Sequence, residues 1–192
     1  LNSGSWYRPV DFVVNNHFWN SQILPRYSYL CKLIKACDAG VSAIDLAFSL
    51  QFGLKGLLAK FANTIKDHKA DGLVRFRPLH SAAQYSLAGL SAWVADKLSV
   101  RVSSFRHILT SSNMCRDKLE ALTLPAGFVF FHFDLDDFFM FGTVEHHVAN
   151  AVPVVYREYR QAIKECLQFL LTHQFVDSGF LDALFVSRQG SG

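Results

Sequence analysis

From Val41 to Ile65 the apolar residues Ile44, Phe48, Phe52 and Leu58 recur at near-helical spacing. That predicts a long amphipathic helix, which Gly53 and Gly56 weaken or split in two. Ahead of it, Trp6, Tyr7, Phe12, Phe18 and Trp19 keep no steady period, so residues 1–38 are expected to hold only short elements. After it, Ala70-Asp71-Gly72 reads as a turn and Leu73 to Leu79 as a strand ending near Pro78. Ala83, Leu87, Leu90, Val94 and Leu98 then form a clear helical stripe. A further helix starts at Ser111 or Ser112 and runs through Leu122, with Pro125 and Gly127 ending it. Phe128 to Phe133 is apolar except for His132 and predicts a buried strand, which runs straight into Asp134-Leu135-Asp136-Asp137. Two helices follow, Thr143 to Val152 and Val154 to Thr172, the second with Val155, Tyr159, Ala162, Cys166 and Phe169 on one face. Phe175 and Phe180 flank Asp177-Ser178-Gly179, a hairpin turn signal. The expected class is α+β, helix-rich with a small antiparallel sheet.

Composition tests the membrane alternative first, because 51% of the 192 residues are hydrophobic and only 18% charged. The best candidate span, Ala39 to Ala62, is interrupted by Asp45, Gln51, Lys55 and Lys60. A spanning helix needs about 20 nearly uncharged residues, so no membrane partner is expected. The opening LNSGSW has no Met and no basic-then-apolar start, so no signal peptide is read and the N-terminus is expected to lie upstream. Cys31, Cys37, Cys115 and Cys166 form no CxxC pair and no zinc spacing, which predicts reduced thiols and an intracellular setting, nucleus or cytoplasm. The net charge of +3 is unevenly spread. Lys55 to Lys118 holds eleven basic and four acidic residues, a net of +7, against eight and twelve elsewhere, a net of −4. A basic middle suggests either a polyanion partner or an ordinary solvated surface.

The sharpest chemistry lies in FVFFHFDLDDFFMFG, Phe128 to Gly142. Three acids within four residues repel one another, which costs free energy unless a cation sits among them. Hard oxygen donors suit Mg2+ or Mn2+. In extended chain Asp134 and Asp136 share a face and Asp137 turns away. The same string also reads as a solvated turn whose aspartates cap the helix at Thr143.

This stretch resembles motif A of the reverse-transcriptase palm: an apolar strand, an Asp, four residues and an aromatic. Asp134 and Phe139 fit that spacing. The resemblance implies Asp134 as the catalytic metal ligand, the Leu135 backbone carbonyl as a second donor, and Phe139 as a steric gate against a ribose 2′-hydroxyl. Ile65-Lys66-Asp67-His68-Lys69 followed by Arg75-Phe76-Arg77-Pro78-Leu79 is similar to the fingers of Penelope-like element reverse transcriptases. It implies Arg77 on the incoming triphosphate, and Lys66, Lys69 and Arg75 on template or phosphate. Ser187-Arg188-Gln189-Gly190-Ser191-Gly192 looks like the opening of motif B, with Gln189 and Gly190 against the nucleotide. Penelope-like members carry that Gln three positions earlier, where Ser187 stands, so the register stays open.

The resemblance covers residues 64–192 and implies a partial right-hand polymerase, fingers and first part of the palm, with residues 1–63 a helical N-terminal extension. Its implied activity is RNA-directed DNA synthesis in a retroelement protein, with an RNA template, a DNA primer and deoxynucleoside triphosphates as partners. The family's second catalytic strand, aromatic-x-Asp-Asp, is missing here and is expected in the remainder of the palm, with the thumb, in the parent chain. These 192 residues alone are therefore expected to be inactive.

Two other readings stand beside it. One is a nucleic-acid-binding domain without chemistry. The other is a haloacid-dehalogenase-like phosphatase, whose Asp-x-Asp also follows an apolar strand. That family wants Thr or Val where Phe138 stands, and usually opens its domain with this strand, whereas 127 residues precede it here. His146 and His147 are adjacent and do not make a metal pair by spacing. His132, Trp6, Trp19 and Trp93 read as core, and Ser112 and Ser187 have no nucleophile-base constellation.

Overall fold

The computed structural model describes residues 7–66, 75–81, 84–105, 107–109, 111–129, 131, 133, 142–177 and 184–187. After strand β1 (Tyr7–Pro9) comes a continuous helical run. It comprises α1 (Asn16–Phe18), a π turn (Trp19–Ile23) and α2 (Leu24–Cys37). Asn15 caps it, its side chain accepting from the Phe18 amide at 3.0 Å. The widened turn lies just before Pro25, which has no N–H and whose ring crowds the preceding turn. Short elements were expected across residues 1–38, and this run corrects that. Its stripe is Ile23, Tyr27, Leu30 and Ile34, all buried. The irregular aromatics ahead of it obscure that period.

The long helix expected over Val41–Ile65 is also corrected. The segment is α3 (Ala43–Phe48), a 3-10 turn (Ser49–Phe52), α4 (Gly53–Leu57) and then strand β2 (Leu58–Lys66). Gly53 carries φ +55, a conformation open to glycine and rarely to other residues, so the 3-10 turn breaks there and α4 starts anew, giving way to extended chain at Leu58. Strand β3 (Arg75–Ser81) returns beside β2. Helices α5 (Ala88–Val102), α6 (Ser112–Glu120), α7 (Val144–Ala151) and α8 (Arg160–Thr172) follow. The chain then forms β4 (Phe175–Asp177) and β5 (Leu184–Ser187). The helices expected over these stretches form, but the one expected from Val154 is corrected: Val155 is extended, Arg157–Tyr159 is a separate 3-10 turn and the α-helix starts at Arg160. The Ser111 side chain accepts from the Met114 amide at 3.2 Å, the expected cap. The anticipated hairpin is β4–β5, with Asp177 opposite Leu184; its connection, including Phe180, lies outside the described residues.

The fold is α+β. Its five-stranded sheet has the order β1-β5-β4-β2-β3. The expectation of an antiparallel sheet is corrected, because β2 and β4 pair in parallel, Leu58 opposite Phe175 and Lys60 opposite Asp177. Parallel neighbours need a crossover, and here α5 to α8 supply it. The other three pairings are antiparallel.

One core joins the two ends of the chain. Tyr27, Leu30 and Ile34 of α2 pack with Leu90, Trp93 and Val94 of α5, with Ala162, Ile163, Cys166, Phe169 and Leu170 of α8, and with Phe175. Each fully buried large side chain contributes about 1.5–3 kcal/mol. Position 63/64 falls inside β2, and this core draws on both sides of it. The Arg26–Glu165 ion pair ties α2 to α8, and the Tyr27 hydroxyl donates to the Leu46 carbonyl of α3. Burial pushes the Tyr27 phenol up to about 12. Among the described residues all four cysteines are free thiols and no helix is long and apolar enough to cross a membrane.

Candidate nucleic-acid interface

The basic stretch folds as an antiparallel ribbon whose register fixes which positions share a face. Lys66 stands opposite Arg75, Thr64 opposite Arg77, Ala62 opposite Leu79 and Lys60 opposite Ser81. Directly opposed residues share a face, and alternate residues along a strand return to it. Positions 60, 66, 75 and 77 therefore lie on one face of the ribbon, and positions Phe61, Asn63, Ile65, Phe76, Pro78 and His80 on the other. The distal ribbon stands clear of the core, with Ile65 and Leu79 both exposed.

Sequence reasoning missed Lys60, because the residues around it were read as helix. Its signal was the short alternation from Phe61 to Ile65, where Phe61, Asn63 and Ile65 fall on one side and Ala62 and Thr64 on the other. Lys60 is exposed and stands level with Asp177 of the adjacent β4.

Of the nine residues singled out for chemistry, the structure brings Lys66, Arg75 and Arg77 together on this ribbon. Lys69, Asp134, Leu135, Phe139, Gln189 and Gly190 lie outside the described residues, as do Asp136 and Asp137. Ser187, two residues before Gln189, ends β5 near the level of Leu58, at the opposite end of the strands from Lys66. At roughly 3.3 Å per residue the separation along the strands is on the order of 25–30 Å.

The approach to Asp134 departs from expectation. Phe128, Val129, Phe131 and Phe133 were expected in a buried strand, but they belong to none and are 47%, 70%, 77% and 83% exposed. An apolar strand is buried only when the sheet offers it neighbours, and among the described residues neither sheet edge, β1 or β3, pairs with Phe128, Val129, Phe131 or Phe133. The Phe131 and Phe133 rings stack at 6.3 Å and 16°, so these alternate residues share a side as in extended chain.

On the far side of the acids, Gly142 has φ +94, and an added Cβ there would sit 3.2 Å from both His146 and His147. Thr143 caps α7, accepting from the His146 amide at 3.2 Å. The aspartates are therefore not that helix's cap. His146 Nε2 lies 2.9 Å from the Asn150 amide, and its ring meets His147 edge-on. Among the described residues no group of three or more His, Cys, Asp or Glu has the arrangement of a metal site.

Compared with known proteins, the chain matches no family model, no curated protein and no solved structure.

Proposed function

We propose that the chain is the fingers and first part of the palm of an RNA-directed DNA polymerase of a retroelement, most like the Penelope-like group. The observation that carries this reading is the β2–β3 register. It groups Lys66, Arg75 and Arg77, the positions that the resemblance assigns to phosphate contacts, on one face of a ribbon. Arg suits this role because its planar fork meets two phosphate oxygens at once. The strand-like alternation of Phe131 and Phe133 just before Asp134 adds a second, weaker support.

On this reading Arg77 grips the incoming triphosphate, Lys66, Lys69 and Arg75 hold the template, and Phe139 excludes the ribose 2′-hydroxyl. Gln189 and Gly190 lie against the nucleotide. The Asp134 carboxylate and the Leu135 carbonyl form a hard oxygen donor set suited to Mg2+ or Mn2+. Bound there, the ions would activate a primer hydroxyl and stabilise the leaving pyrophosphate. The acids of an aromatic-x-Asp-Asp strand, which these residues lack, are needed to complete that chemistry.

The second reading, a nucleic-acid-binding domain without catalysis, is favoured by the same ribbon, since charge alone suffices for it. Fluorescence anisotropy with a recessed RNA template and DNA primer separates the two. Both readings require binding that weakens steeply with salt, and a slope reduced by about 2 in the Arg75→Ala/Arg77→Ala variant. Only the polymerase reading requires that a complementary deoxynucleotide with Mg2+ tighten the complex, that the ribonucleotide do so less, and that Asp134→Ala abolish the effect. Binding without that effect leaves the non-catalytic domain. Salt-insensitive binding refutes both, and Asp134-dependent phosphomonoester hydrolysis transfers the chain to the dehalogenase-like class.

A further inference from the structure

The connection between α7 and α8 folds against the last turns of α5 and borders a cavity of about 250 Å3, walled by Lys97, Val100, Tyr156, Glu158 and Tyr159. That is just below the size of drug-like pockets, and suits one planar ring system. Tyr159 is held edge-on against Trp93, with centroids 6.2 Å apart, and the Lys97 ammonium lies 5.2 Å from its ring centre. Tyr156 is 50% exposed, with the Arg101 guanidinium 5.2 Å from its ring centre. Arg101 is fixed there because its Nε donates to the Val154 carbonyl at 3.0 Å. Arg160 grips the same stretch through the Val155 and Pro153 carbonyls, at 3.4 and 3.3 Å.

The charges around this cavity are not equivalent. Lys97 is satisfied by Asp38 at 2.8 Å and Asp96 at 3.2 Å. Arg101, Arg157 and Arg160, by contrast, meet no carboxylate at ion-pair distance among the described residues. Backbone carbonyls order Arg101 and Arg160 without neutralising them, so these guanidiniums keep their charge for a mobile anion. Glu158 also lines the cavity, and its negative charge disfavours an anion inside it, which leaves the anion to the arginines and the cavity to an uncharged flat group.

We infer that this is a subsite for one nucleotide of a single-stranded nucleic acid, its base stacked on Tyr156 in the cavity and its flanking phosphate on Arg101. The combination of a stacking ring with unpaired cations is the chemistry by which sequence-tolerant single-strand sites work. This subsite stands apart from the β2–β3 ribbon and does not depend on the polymerase reading.

The test uses labelled oligo-dT and an abasic oligonucleotide of equal length and charge. The wild-type chain binds oligo-dT about fivefold to a hundredfold more tightly than the abasic strand. Tyr156→Ala removes that preference, and Tyr156→Phe retains it. Arg101→Gln weakens both strands and lowers the salt slope by about one. Arg75→Ala with Arg77→Ala weakens both strands but keeps the base preference, so failure of the ribbon and failure of this subsite are told apart. Equal binding of the two strands by wild type, or a base preference that survives Tyr156→Ala with native circular dichroism, overturns the inference.

Discussion

Replacing Gly89 with alanine tests how closely α5 is packed on α3. A Cβ at that position would sit 2.3 Å from the Leu46 carbonyl oxygen, 2.9 Å from its carbon and 3.0 Å from the Asp45 oxygen. All three are backbone atoms, so no side-chain rotation relieves the contact and the helices must move apart. Overpacking of this kind costs about 1–3 kcal/mol. The same Leu46 carbonyl accepts from the buried Tyr27 hydroxyl, and displacing it leaves that donor unsatisfied at about 1–3 kcal/mol. Against this, alanine is the better helix former by at most about 1 kcal/mol. The expected net loss is about 1–5 kcal/mol, or a Tm lower by roughly 2–20 °C for a chain of this size. Urea unfolding followed by circular dichroism measures it. Tyr27→Phe adds a check, because the double variant should lose less than the sum of the singles if the shared carbonyl carries part of the effect. An unchanged or raised Tm for Gly89→Ala would mean that helix propensity outweighs contact here, and the close packing of α3 on α5 would be refuted.

Two further outcomes follow from the electrostatics. The Lys97 ammonium and then the Trp93 indole N–H, at 2.8 and 3.1 Å, hold the Asp38 carboxyl below its ordinary range. A depressed carboxylate contributes stability above its unfolded pKa of about 3.9 and loses it as pH falls through the folded value. Asp38→Asn should therefore be less stable by about 1–3 kcal/mol at pH 7, with the gap closing in urea titrations below about pH 4; a gap independent of pH refutes the pairing. Burial pushes the Cys166 thiol up to about 12, whereas Cys115 on α6 is part-exposed. At pH 8 a thiol reagent should modify Cys166 far more slowly than the part-exposed Cys31, Cys37 and Cys115, so Cys166→Ser leaves the fast phase intact; loss of the fast phase in Cys166→Ser contradicts the placement of Cys166 in the core.

What was legible in the sequence was local. The apolar stripes of α5 and α8 and the caps at Ser111 and Thr143 depend on residues within a turn or two of one another, so reading along the chain finds them. The run over Asn16–Cys37 was missed although Ile23, Tyr27, Leu30 and Ile34 carry a helical period, because the aperiodic aromatics before it hide that period. The α+β class followed from that mixture of periods, and the basic ribbon residues were visible by their order.

Only the tertiary structure decided the rest. Leu58 fits a helical spacing as well as a strand, and β2 forms because β3 and β4 flank it, contacts made far along the chain. For Phe128 to Phe133 the reverse holds: the run has the composition of a core strand, but its described residues Phe128, Val129, Phe131 and Phe133 join no strand of the sheet and stay exposed. Strand pairing joins residues distant in sequence, and a single chain read alone does not say which strands meet or in which direction. The common face of Lys60, Lys66, Arg75 and Arg77, and the meeting of Tyr156 with Arg101, are consequences of pairing and packing rather than of spacing.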